Sequence, residues 1–202
     1  MKFGGLNNGF KKINYFGDTE VSVVGGVLNM PVDKPRRGCR VESTWQARSA
    51  RVCANIKTPD TPTPGSIFAF YAISSHAAKS KATPWWEIDY EFMGKNVNSA
   101  WLSKFDGGKK DIWSGLYVAS PAHNQWNDYC IDWDIPRKCV KWITNGKVVR
   151  SLPMGPNWNQ PLHAVLSHWV GKEGKSAVWA GGSSVPGKRV AMVRNIRWTI
   201  RA

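Results

Sequence analysis

Trp86-Glu87-Ile88-Asp89-Tyr90-Glu91-Phe92-Met93-Gly94 alternates without a break. Trp86, Ile88, Tyr90 and Phe92 share one parity; Glu87, Asp89 and Glu91 share the other. Successive side chains of a β-strand point to opposite faces. The stretch therefore predicts a strand with one apolar face and one face of three carboxylates. Solvated strand faces usually mix Lys, Thr, Ser and Glu, and three acids in line repel one another. A chain that tolerates this repulsion can be using it for acid–base chemistry. The plain alternative is an exposed acidic strand face, since so short a motif occurs without function.

The sequence on either side reads as further strands. Thr19–Val24 and Val27–Met30 flank Gly25-Gly26, a hairpin signal. Pro31–Gly38 reads as a basic loop, and Val41–Trp45 and Arg51–Ile56 as strands. Residues 57–65, rich in Pro and Thr, form a stiff connector rather than a domain linker. Ser66–Ser74 is almost continuously apolar and predicts a central strand. Strands follow at Ala100–Phe105, Ile112–Ala119, Asn127–Trp133, Cys139–Ile143, Lys147–Ser151, Leu162–Trp169 and Val190–Ile200. Asn145-Gly146 marks a second hairpin, and Gly171–Gly187 reads as a long functional loop. Short strands in this number, with no long helical pattern, predict an all-β sandwich of two antiparallel sheets.

The 202 residues are expected to make a single domain, residues 1–202, with a substantial core. No run approaches the roughly 20 apolar residues of a membrane span. No signal-peptide pattern starts at Met1, so the chain reads as mature or cytosolic. The net charge is +14 and the isoelectric point near 9.9, which raises anionic polymers as partners. The cations are scattered, however, and no nucleic-acid-binding motif accompanies them, so nucleic acid is not expected. Cys39, Cys53, Cys130 and Cys139 make no C-x-x-C pair, and the histidines complete no zinc spacing, so no metal site is expected. Cys130 and Cys139 flank a hairpin and are a candidate disulfide; Cys39–Cys53 is another pairing left open.

In a sandwich, Trp86, Ile88, Tyr90 and Phe92 would be buried, turning Glu87, Asp89 and Glu91 to the outer face of their sheet. If that sheet curves, the outer face becomes a cleft. Acids and tryptophans in an open cleft suit a carbohydrate chain. Aromatic faces stack on sugar rings, and paired carboxyls cleave the linkage, with retaining chemistry needing them ~5–5.5 Å apart. Glu87 and Glu91 would have Cα atoms ~13 Å apart at ~3.3 Å per residue. Spacing alone therefore permits any two of the three acids.

At this point the chain resembles a family. The stretch from Trp85 to Gly94 is similar to the W-x-E-I-D-x-E-F-x-G catalytic strand of glycoside hydrolase family 16, whose fold is a curved jelly roll of the concanavalin A-like type. The resemblance extends to Ile56–Pro59, Pro64–Phe70, Trp126–Trp133, Val140–Trp142, Asn145–Lys147, Leu166–Gly171 and Trp179–Gly182. It implies Glu87 as nucleophile, Glu91 as general acid/base and Asp89 as their auxiliary acid. The unbulged E-x-D-x-E form resembles that of lichenases, xyloglucan transglycosylases and fungal chitin–glucan transglycosylases. It implies a retaining endo-β-glycanase or transglycosylase acting on a β-glucan-type wall polysaccharide. The enzyme would be monomeric, extracellular or wall-associated, and would require no cofactor, with a structural calcium left open.

Trp86, Asn127 and Ser49-Ala50 stand where these relatives often carry Asp, His and Tyr-Gly. Ser103 and Phe105 replace an Asn and a Tyr of the lichenase cleft. Trp85, Trp101, Phe105, Trp169 and Trp179 are the candidate substrate-binding aromatics. Trp126, Trp133, Trp142 and Trp198 read as core, and His168 as structural or substrate-facing. Two other readings are a non-catalytic glycan-binding module on the same fold and an anionic-polymer binder driven by the net charge.

Overall fold

The computed structural model describes residues 9–13, 19–35, 37–59, 63–74, 84–107, 109–110, 115–119, 124–171, 174–183, 185 and 187–201. Among these, fifteen strands follow in order: β1 (Phe10–Ile13), β2 (Ser22–Val24), β3 (Val27–Val32), β4 (Gly38–Ser43), β5 (Ser49–Lys57), β6 (Ser66–Ile73), β7 (Glu87–Met93), β8 (Ser99–Asp106), β9 (Lys109–Lys110), β10 (Leu116–Ala119), β11 (Asn127–Asp134), β12 (Cys139–Thr144), β13 (Lys147–Pro153), β14 (His163–Val170) and β15 (Arg189–Ile200). A short helix, α1 (Lys175–Ala180), precedes β15. The first sheet runs β1-β4-β14-β6-β7-β8-β10, with β9 beside β8. The second runs β13-β12-β11-β5-β15-β3-β2. Every strand pair is antiparallel, as the alternating patterns require.

Both hairpin signals hold. Gly25 and Gly26 have φ of 56° and 76°, and Asn145 and Gly146 have 48° and 78°. Two consecutive left-handed residues are what a type I′ turn needs to match the strand twist. β6 is buried along its whole length, as its apolar run predicts. It lies between β14 and β7 in the middle of the first sheet. The described part of the expected strand at residues 112–119 is β10; residues 111–114 lie outside the described residues. The stretch 171–187 contains α1 and is not purely loop.

Trp86, Ile88, Tyr90 and Phe92 enter the main core with Phe68, Phe70, Tyr129, Trp133 and Trp142. Burying a large side chain of this kind contributes roughly 1.5–3 kcal/mol. The two sheets are also joined by directed contacts. Trp142 Nε1 on β12 donates to the Asp89 carbonyl on β7 at 2.8 Å, and Tyr90 Oη meets Thr144 Oγ1 at 3.1 Å. Burial raises the Tyr90 phenol well above its ordinary pKa, opposed in part by the Thr144 hydrogen bond. His168 is wholly buried: Nδ1 donates to the Met30 carbonyl at 2.7 Å, and Nε2 lies 2.9 Å from Ser66 Oγ. The Trp142 and Tyr90 bonds fix the strand that carries the acids against the opposite sheet, and the His168–Met30 bond does the same for β14.

The disulfide differs from both expected pairings: Cys53 is bonded to Cys130. The strand register explains this. Cys53 on β5 faces Cys130 on β11 directly, with Cα atoms 4.0 Å apart. The β11–β12 hairpin sets Cys139 against Asp134 and Cys130 against Ile143. Cys39 is a core residue of the other sheet. Trp133 and Trp142 are fully buried as expected. Trp126 and Trp198 are only partly buried; the Arg194 guanidinium lies 4.1 Å from the Trp126 ring centroid.

Candidate active site

The register of the first sheet assembles the outer face row by row. Glu87 sits between Phe105 on β8 and Ile73 on β6. Asp89 sits between Ser103 and Tyr71, and Glu91 between Trp101 and Ala69. His163, Val165 and Ser167 of β14 continue these rows beyond β6, and Trp169 stands one row further on, opposite Ile67. Glu87 and Asp89 are each only 4% exposed, whereas Glu91 is half-buried. Acids on a flat solvated strand would be far more open, so the outer face here is a recess, with Glu91 nearest its opening.

Each buried acid has a named donor. Trp85 Nε1 donates to Glu87 Oε2 at 3.0 Å, and Ser103 Oγ donates to Asp89 Oδ2 at 2.7 Å. Trp85 also stacks on Phe105, with centroids 6.2 Å apart, and packs against Ala69, Tyr71, Ile73 and Val165. One wall of the recess is therefore Trp85 and Phe105, beside Glu87.

The other wall lies beside Glu91. Trp101 meets Trp179 of α1 edge to face at 4.7 Å. Both pack with Trp169 against Ile67, Met93 and Ala180. α1 is held there by its neighbours' backbone: Gly65 N–H donates to the Ala180 carbonyl and Gly171 N–H to the Gly65 carbonyl, each at 2.8 Å. Gly181, at φ 82°, ends the helix. The stretch Lys175–Ala180 between two glycines was the available sequence signal for this helix. Gly94 closes the motif for a steric reason: a Cβ there would run into the Thr63 carbonyl oxygen.

All five candidate aromatics thus lie on or beside this face, around the three acids. His168 does not, because its parity turns it into the core while Ser167 and Trp169 face out. Sequence reading missed a charged end of the same face. Glu42 on β4 lies 3.5 Å from Lys11 Nζ, 4.0 Å from Arg40 and 3.6 Å from His163 Nε2. Burial lowers the His163 pKa, Glu42 opposes this, and Arg40 and Lys11 add to the lowering. Trp86, which stands where relatives often have Asp, points to the core side and donates to Asp106 Oδ1 at 3.2 Å. Asn127 lies on β11 of the second sheet and accepts from Asn145 at 3.0 Å.

Among the described residues, one group of acids and thiols is close enough to share a cation: Cys53, Asp128 and Cys130, whose two sulfurs are joined to each other. No helix among the described residues is long and apolar enough to cross a membrane.

The sequence profile of glycosyl hydrolases family 16 matches residues 10–185. The chain belongs to this family. Among curated proteins, Crh-like protein 2 of Aspergillus fumigatus is 27% identical over 113 residues, covering 48% of this chain and 25% of that protein. A β-glucanase of Bacillus licheniformis is 24% identical over 117 residues, covering 53% of this chain and 45% of that protein. The chain therefore spans a quarter to under half the length of these relatives. Solved structures share the jelly-roll fold over nearly the whole chain. The β-glucanase of Bacillus licheniformis superposes with a TM-score of 0.79 at 20% identity, covering 98% of this chain and 96% of that one. A Crh5 transglycosylase solved in complex with NAG gives 0.76 at 18% identity, covering 98% and 86%.

Proposed function

We propose that this family 16 chain is a retaining, endo-acting β-glycanase or transglycosylase that cleaves a β-glucan-type wall polysaccharide by double displacement. The observation that carries this reading is the row of three acids, intact, recessed and flanked by aromatic walls, in a chain that belongs to the family.

Glu87 is the nucleophile. Its carboxylate attacks the anomeric carbon, the bond to the leaving oxygen breaks, and Glu91 gives that oxygen a proton. Glu91, now a carboxylate, takes a proton from water or from an acceptor hydroxyl. The oxygen so activated attacks the anomeric carbon, and the Glu87 ester bond breaks. Trp85 orients Glu87, and Asp89, held by Ser103, assists between the two glutamates. The greater opening of Glu91 suits a group that must meet leaving group and acceptor in turn.

The position of Glu91 also gives the recess a direction. Its cross-strand neighbour is Trp101, so the Trp101–Trp169–Trp179 wall is the leaving-group and acceptor side, and Trp85 and Phe105 lie on the nucleophile side. The carboxylates suffice for this chemistry, so no cofactor is required. We read the enzyme as a monomer and place it outside the cytoplasm; the Cys53–Cys130 disulfide, of a kind that persists in oxidising compartments, supports the location.

The test is a product profile on a panel of soluble β-glucans, with and without acceptor oligosaccharides. Cleavage is expected, with loss of turnover in Glu87→Ala and a fall of roughly 10²–10⁴-fold in kcat in Glu91→Gln. Unchanged turnover in Glu87→Ala would remove the assignment. Binding by the parent protein without any turnover would make it a glycan-binding module instead.

A further inference from the structure

Lys95 directly follows Gly94 at the end of the catalytic strand and reaches across to α1. Its ammonium lies 5.7 Å from the centroid of the Trp179 ring. Its stem runs along Gly181: Cδ, Cβ and Cγ lie 2.8, 3.1 and 3.4 Å from where a Cβ on that glycine would be. Only a residue without a side chain leaves this passage open, and its φ of 82° is also one that glycine adopts freely. Trp179 therefore has the Lys95 cation over its ring and Trp101 edge to face with it at 4.7 Å. Trp101 is in turn the cross-strand partner of Glu91. α1 itself has six residues and no side-chain cap at its N-terminus, so it depends on such outside contacts to hold one orientation.

We propose that Lys95 is a positioning residue for the acceptor side: its stem and its charge together hold the Trp179 indole in the orientation that stacks on a neutral β-linked sugar. The inference rests on the family 16 reading above, in which the wall beside Glu91 receives the leaving group and the acceptor. Lys95 acts through Trp179 and is not itself a sugar ligand. A partly exposed cation–ring contact of this kind is worth about two- to five-fold in an equilibrium constant. The stem contact under Gly181 adds to that.

The test uses the full chain carrying Glu87→Ala, so that bound sugar is not turned over, titrated calorimetrically with a β-linked gluco-oligosaccharide long enough to span both walls. Adding Lys95→Ala is expected to raise Kd by about two- to five-fold or more. Lys95→Arg, which keeps both stem and cation, is expected to restore the starting Kd. Lys95→Met, which keeps the stem alone, is expected to fall between them. Trp179→Ala in the same background separates the two layers of the argument. If Trp179→Ala weakens binding and Lys95→Ala does not, the role given to Lys95 is wrong and the wall stands. If neither changes Kd, or the Glu87→Ala protein binds no such oligosaccharide, the acceptor-wall reading is overturned and the role of Lys95 with it. Failure of Lys95→Arg to restore Kd would also overturn the proposal, because Arg keeps both the stem and the cation that the role requires.

Discussion

Acidifying the protein charges His168 at a cost that the structure sets. The ring is fully buried between the sheets, its Nδ1–H donating to the Met30 carbonyl and its Nε2 facing Ser66 Oγ. The neutral ring satisfies both partners, one as donor and one as acceptor. Burial drives its pKa down to about 4, with the Met30 bond opposing only in part. In the unfolded chain a histidine titrates near 6.5. The unfolded chain therefore takes up the proton first as pH falls. The stability that rests on neutral His168 is fully present above about pH 6.5 and is lost progressively down to about pH 4. At about 1.4 kcal/mol per pH unit, the whole loss is about 3 kcal/mol, of which about 2 kcal/mol has gone by pH 5. Urea unfolding of the parent and of His168→Gln at pH 7 and pH 5 isolates the effect, since His163 and the carboxylates titrate in both proteins. The His168→Gln substitution lowers stability at pH 7 by about 1–3 kcal/mol through imperfect hydrogen bonding. The variant's further loss on going to pH 5 is expected to be about 2 kcal/mol smaller than the parent's. Equal losses in the two proteins would refute the reasoning, as would a directly measured His168 pKa near 6.5.

Three further outcomes follow from particular contacts. Reducing Cys53–Cys130, or replacing both residues by Ser, is expected to lower unfolding stability by about 4–5 kcal/mol on the loop-entropy view for a separation of 77 residues. A reductant should then leave the urea midpoint of the double variant unchanged. Ser103→Ala removes the donor to the buried Asp89 carboxylate and is expected to cost about 1–3 kcal/mol of stability, read from the urea midpoint, together with a fall in kcat/KM on a soluble β-glucan. Gly94→Ala drives a Cβ into the Thr63 carbonyl and is expected to lose about 1–3 kcal/mol or more of stability, read from the urea midpoint.

The parity of Trp86–Phe92 was legible without coordinates, and it placed every residue of the strand on its correct side. Period-two alternation survives folding because a slip of one residue would bury three carboxylates and expose four large apolar groups. The two glycine-bearing turns were legible for a similar local reason: few residues tolerate consecutive positive φ values. The disulfide was not legible. Cys53 and Cys130 are 77 residues apart and meet only because β5 and β11 become neighbours in the second sheet. Hairpin proximity favoured Cys139, but a partner across a hairpin depends on register, and the register sets Cys139 against Asp134. The charged end of the face was missed for the same reason, since Lys11, Glu42 and His163 come from three separate strands.

The sequence by itself determined the sheet-forming pattern, the three acids on one face and, through its resemblance, the family. Those are properties of residue type and short spacing, set by the backbone's own periodicity. Only the tertiary structure decided what surrounds the acids. It supplied Ser103 and Trp85 as donors, set Trp101, Trp169 and Trp179 together beside Glu91, and turned His168 inward against Met30 of the opposite sheet. Strand order and register are outcomes of the whole chain packing at once, so contacts between distant strands cannot be counted off along it.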